Sequence, residues 1–205
     1  MRLGMTRNQK LIQGVLGELR HRIRPLSYHR FHQCDGGFEI RLTPAGHVLG
    51  SAVMEVEYQG SRVVFSGDIG AHNTPLLNDP VSPERADLLI LESTYGNRLH
   101  EGREDRCARL ESILCRTMTN RGVTLIPAFS LGRTQELLYE LNRIFEGIEV
   151  KRTCSLIDQI DVIVDSPLAL KLTSVYNSMQ EHWGEEAKDI LTVDRQPLIF
   201  KNLVK

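Results

Sequence analysis

The sequence predicts an α/β protein assembled in two parts, and three observations carry that prediction. Between residues 38 and 65, short segments alternate apolar with polar side chains at period two, the pattern of half-buried strands. Asp87-Leu-Leu-Ile-Leu-Glu92 is instead a continuous apolar run closed by an acid, which suits a central strand covered on both faces. From about residue 101 onward helical periodicity and short apolar runs take turns, the logic of βαβ units around a parallel sheet.

Residues 6 to 23 open the chain as a helix, with Thr6 as the N-cap candidate and Leu11, Val15, Leu16 and Leu19 recurring at helical spacing until Pro25 stops it. Strands are expected over 38–42, 53–58 and 62–65, the last two joined by a Gln59-Gly60 turn. The run at 87–92 follows. The polar stretch from Gly96 to Asp105 marks the change of architecture, giving units of residues 1–97 and 98–205. Beyond it come a helix at 102–119, a strand at 123–126, a helix at 133–146, a strand at 162–164 and a helix at 167–180.

Composition narrows the class of protein. With 205 residues, 41% hydrophobic and 25% charged, the chain has the make-up of an ordinary globular protein that can bury a core without staples. No apolar run approaches the length of about 18 to 20 residues that spans a bilayer, and a cytoplasmic location with no membrane partner is expected. Cys34, Cys107, Cys115 and Cys154 are irregularly spaced, make no C-x-x-C pair, and are expected to be reduced, buried and inert. The net charge of −1 conceals an asymmetry: residues 1 to 33 hold seven Lys or Arg against Glu18 alone. Such a basic arm attracts phosphate, although a helix with a solvated basic face has the same composition.

Three groups at strand ends could carry chemistry. His47 lies in Ala45-Gly-His-Val-Leu-Gly-Ser-Ala52, Asp68 in Phe65-Ser-Gly-Asp-Ile-Gly70 and Glu92 in Leu91-Glu-Ser-Thr-Tyr-Gly96, each beside glycines that permit tight turns. An imidazole and two carboxylates on neighbouring strands suit metal ligation or acid–base work. The same residue types also serve as hydrogen-bonded turn residues. A fourth segment, Pro127-Ala-Phe-Ser-Leu-Gly-Arg133, leaves a strand and opens a helix. There Ser130, Arg133 and the helix amides could cradle a phosphate, or Ser130 could simply cap the helix. It lacks the Gly-Lys-Ser/Thr ending of a Walker loop.

These four motifs, in this order and spacing, resemble the β-CASP branch of the metallo-β-lactamase fold, specifically its RNA-processing members. The resemblance runs from about Thr6 to Lys205. It implies part of an αββα sandwich followed by the first part of a β-CASP α/β domain with a parallel sheet. The implied activity is phosphodiester hydrolysis in single-stranded RNA with two zinc ions. On that resemblance His47 matches a zinc ligand, Asp68 the carboxylate that bridges both metals, and Glu92 the acid that supports a later catalytic histidine, while Ser130 and Arg133 are the substrate-binding candidates. A homodimer is among the partners considered. The main His-x-His-x-Asp-His metal motif is missing before His47, where residues 1–46 offer only His21, His29 and His32, and the later histidines are missing too. The chain is therefore expected to be the middle of a longer protein, inactive alone. A non-catalytic RNA-binding or scaffolding relative and a DNA-processing β-CASP nuclease are the alternatives.

Overall fold

A computed structural model describes residues 8–99, 105–147, 155–192 and 196–204. Its first half is a five-stranded sheet in simple sequence order: β1 (Phe31–Gln33), β2 (Glu39–Pro44), β3 (Ala52–Tyr58), β4 (Ser61–Phe65) and β5 (Leu88–Ile90). The first three pairings are antiparallel and β4 pairs with β5 in parallel. The hairpin between β3 and β4 turns on Gln59 and Gly60, both at positive φ, which matches the right-handed twist of the strands it joins. Preceding the sheet, α1 (Asn8–Arg22) ends three residues before Pro25. Thr6, the expected cap, lies outside the described residues.

One face of this sheet is stabilised by charge. Glu55, fully buried on β3, accepts a two-pronged hydrogen bond from Arg41 on β2 and a third from Arg62 on β4. Arg62 also reaches Glu57, and both guanidinium groups lie over the Phe31 ring. Buried charges persist only when paired in this way. Two cations here share two carboxylates across three strands.

The second half is mostly helical. It contains α2 (Arg106–Thr119), α3 (Arg133–Glu146), α4 (Pro167–Ser178) and α5 (Glu185–Thr192), with a two-stranded parallel sheet of β6 (Val162–Ile163) and β7 (Leu203–Val204). Helix α3 presents Leu138, Leu141, Ile144 and Phe145 to a core that also holds Tyr176, Trp183 and Leu198. Leu76, from the segment between β4 and β5, is buried in the same core, and Leu49 from the β2–β3 loop packs against it. These two leucines fasten the sheet to the helices. Gly184 completes the seam: its N–H donates to Leu76 O at 3.1 Å, and a Cβ there would lie 2.7 Å from Leu77 O.

Several expectations need correction. The run at 87–92 forms an edge strand, with Leu88, Leu89, Ile90 and Leu91 about half exposed, because β4 is its sole partner among the described residues. An apolar run reports the capacity for burial on two faces and not the number of neighbours present. The segment 123–126 pairs with nothing described and is not a strand, leaving Val123 86% and Leu125 87% exposed. Among the described residues, parallel pairing in the second half is therefore confined to β6 and β7. Strand β1 and helix α5 were not expected from the pattern. The apolar stripe of α1 faces solvent, with Leu11, Val15, Leu16 and Leu19 all exposed.

The cysteines also divide. Cys34 and Cys107 are free and half-buried, whereas Cys115 is disulfide-bonded, so the expectation of four reduced thiols fails there. Sequence spacing does not reveal which sulfurs a fold brings within bonding reach. Cys154 lies outside the described residues. Cys107 does behave as an inert thiol: burial and the Glu140 carboxylate, which accepts its S–H at 2.6 Å, push it up to about 12.

Candidate active site

Loops at one end of the sheet bring the first three candidate residues together. His47 sits in the β2–β3 loop, Asp68 in the loop after β4 and Glu92 two residues after β5. Both β4 and β5 run in the same direction, so their carboxyl ends deliver Asp68 and Glu92 to the same side. The His47 loop joins them by backbone contact. Gly70 N–H donates to Ala45 O at 2.7 Å, and a Cβ on Gly70 would lie 1.8 Å from Gly46 O. Only a residue without a side chain allows these two loops to touch.

Ser51 folds the His47 loop onto itself. Its hydroxyl accepts from the N–H groups of His47 at 3.0 Å and Val48 at 3.2 Å, while Ser51 O accepts from Ala45 N–H and from the Tyr28 hydroxyl. Sequence reasoning missed Ser51. The usable signal was a hydroxyl residue four positions after the histidine, able to satisfy turn amides.

Glu92 is held by three contacts. Its carboxylate accepts from the Thr94 hydroxyl at 2.6 Å and the Ile69 N–H at 2.5 Å, and its own N–H donates to Ser66 Oγ at 2.9 Å. The bond from Thr94, then that from Ile69, lower its pKa below the ordinary carboxylate value, with a smaller contribution from the charge of His47. Glu92 is thus ionised and tied directly to the residue next to Asp68. The His47 and Asp68 side chains are exposed, and neither hydrogen-bonds a described side chain. A ring nitrogen and a carboxylate are donors that a hydrolytic zinc centre uses, and in that respect they fit. Among the described residues no group of three or more His, Cys, Asp or Glu side chains could hold a metal ion.

The 127–133 turn lies beside the same loop. A Cβ on Gly132 would stand 3.0 Å from Val48 Cγ1 and 3.9 Å from His47 O. Gly132, not Ser130, caps α3, at a φ of 79° suited to glycine. The amides expected to cradle a phosphate are engaged internally: Gly132 N–H by Gln135 Oε1, Arg133 N–H by Leu131 O and Thr134 N–H by Phe129 O. Ser130 Oγ lies 3.4 Å from Ser166 Oγ, which caps α4. The Arg133 side chain is 61% exposed and meets Glu136 of its own helix at 2.8 Å. Such an exposed pair is weak and exchanges readily for a stronger anion.

Behind this turn is a cavity of about 720 Å³ between α2, α3 and residues 126–129. Arg106, Leu110, Phe129 and Leu137 line it. Of its two arginines, Arg106 meets Glu140 at 2.5 Å and Arg133 meets Glu136 at 2.8 Å.

Comparison with known proteins agrees with the motif reading. Residues 134–205 match the Beta-Casp domain. The chain is 33% identical over 195 residues to endoribonuclease YSH1 of Kluyveromyces lactis, covering 92% of this chain and 24% of that protein. It is 32% identical over 177 residues to ribonuclease TTHA0252 of Thermus thermophilus, covering 86% and 38%, and 33% identical over 160 residues to cleavage and polyadenylation specificity factor 73 of Drosophila melanogaster, covering 78% and 22%. The chain thus spans between about a fifth and two fifths of the length of these relatives. It carries a match to the Beta-Casp domain in its second half and is similar to these ribonucleases along most of its own length.

Proposed function

We propose that the complete protein is a metal-dependent hydrolase that cuts phosphodiester bonds in single-stranded RNA, with this chain contributing part of its site. The observation that carries the reading is the convergence of His47, Asp68 and Glu92 on one end of the sheet, beside a turn bearing an exposed arginine. Three similar proteins named as ribonucleases or as a cleavage factor support RNA as the substrate. The resemblance to this family implies metal use, and we assign zinc, as two ions, from the donor types and that resemblance. The domain division at 97/98 and a homodimer are compatible with this reading.

Each residue has a defined part. His47 would bind one ion through its ring, and the Asp68 carboxylate has two oxygens to offer to a pair. The chemistry such ions supply is a hydroxide near neutral pH and neutralisation of charge on the phosphate. Glu92, held ionised by Thr94 and Ile69, would on the family resemblance support a catalytic histidine by accepting its ring N–H. Arg133, released from Glu136, holds a phosphate away from the cut bond, with Ser130 alongside.

The test uses the protein that contains this chain with its natural flanking sequence. It is incubated with end-labelled single-stranded RNA and with DNA of the same sequence, with and without a chelator. Chelator-sensitive cleavage of the RNA supports the proposal. Binding of RNA without cleavage would identify a scaffolding relative, and cleavage confined to DNA would identify the DNA-processing alternative.

A further inference from the structure

Two segments of the candidate site, the His47 loop and the 127–133 turn, come from opposite halves of the chain, yet both are tied to one face of α4. The Tyr176 hydroxyl, on a side chain only 2% exposed, accepts the Leu49 N–H at 3.1 Å, two residues from His47. One turn earlier on the helix, the Thr173 hydroxyl accepts from Gln135 Nε2 at 2.9 Å. Gln135 is fully buried, and it also donates to Ser130 O at 3.1 Å and accepts the Gly132 N–H at 2.7 Å. Residues three apart on a helix share a face, so Thr173 and Tyr176 are a single mount for both segments.

We propose that Tyr176 is a positioning residue of this site, its hydroxyl holding the His47 loop in register with the 127–133 turn. The inference rests on the hydrolase reading given above. Its physical content is a fixed spacing between the metal-binding loop and the arginine that grips the substrate. Local hydrogen bonds inside each loop define its shape, but the hydroxyl of Tyr176 and the amide of Gln135 define where the two loops stand relative to each other. Small displacements matter at such sites, because an error of about 1 Å in placing reacting groups can cost about 100-fold in rate.

Tyr176→Phe removes the hydroxyl and keeps the ring in the core. Thr173→Val cuts the Gln135 tie and leaves Tyr176 in place. Tyr139→Phe is the control, since that buried hydroxyl meets Glu186 at 3.0 Å, away from the loops. In the complete protein, amide hydrogen exchange at residues 47–49 should accelerate at least about tenfold in Tyr176→Phe and stay within about twofold in Tyr139→Phe. Thr173→Val should loosen residues 130–134 instead. For RNA cleavage, Tyr176→Phe should lower kcat about tenfold with KM within about twofold, the signature of a misplaced site and not of lost binding. Unchanged exchange at 47–49, equal effects of both tyrosine variants, or a normal kcat in an active protein overturns the proposal. If the variants show this exchange pattern but the wild-type protein cuts no RNA, the hydrolase reading falls and the α4 mount stands.

Discussion

Gly70 and Glu92 show how much of the site depends on single residues. A methyl group at Gly70 would collide with the backbone of Gly46, which has no flexible end to move aside. Gly70→Ala should therefore lose about 2 to 4 kcal/mol of stability in urea unfolding. Gly17→Ala, in α1 where nothing lies within 4 Å, should instead gain up to about 1 kcal/mol. Glu92 has its pKa depressed in the folded chain, so its contribution is present above its ordinary value of 4.5 and lost as pH falls through the lower folded value. Unfolding titrations of wild type and Glu92→Gln should thus diverge above pH 4.5 and converge in stronger acid. His47, Asp68 and Glu92 stood out as candidates through the resemblance of their motifs to a known family, since the same residue types beside glycines also serve as turn residues. Ser51, Tyr176 and Gln135 were not legible, since their work is to satisfy backbone groups far away in sequence.

Elements show a different balance. Helices α1 and α3 and strands β2, β3 and β4 follow from periodicity and turn chemistry, which are local and lie in the sequence itself. Strand β5 and the segment 123–126 departed from expectation because pairing partners are a property of the assembled sheet. The start of α3 tests whether the 127–133 turn meets nucleic acid. Loss of the exposed guanidinium in Arg133→Ala should weaken RNA binding and reduce the slope of log affinity against log salt by about 0.7. Filter binding across a salt series measures both, and an unchanged slope would make the turn a purely structural link between 126 and α3.

At the scale of the whole molecule, apolar surface lies along the β5 edge of the sheet. Leu88 to Leu91 border a strand edge that pairs with nothing among the described residues, and Val123 and Leu125 stand exposed nearby in sequence to α2. An open, apolar edge pairs readily with another. The 205-residue chain on its own should self-associate in size-exclusion chromatography, and Leu88→Lys should shift it towards the monomer. A compact monomer at all concentrations would show that this edge is protected.

In the function proposed above, the complete protein hydrolyses RNA at a site to which Asp68 contributes directly. The most direct measurement is turnover and RNA affinity of Asp68→Ala in the complete protein, beside wild type. We predict that kcat falls by at least about 1,000-fold, as expected for a group that holds metal at the reacting phosphate, while the dissociation constant for RNA stays within about threefold. Near-normal turnover by Asp68→Ala would contradict the account.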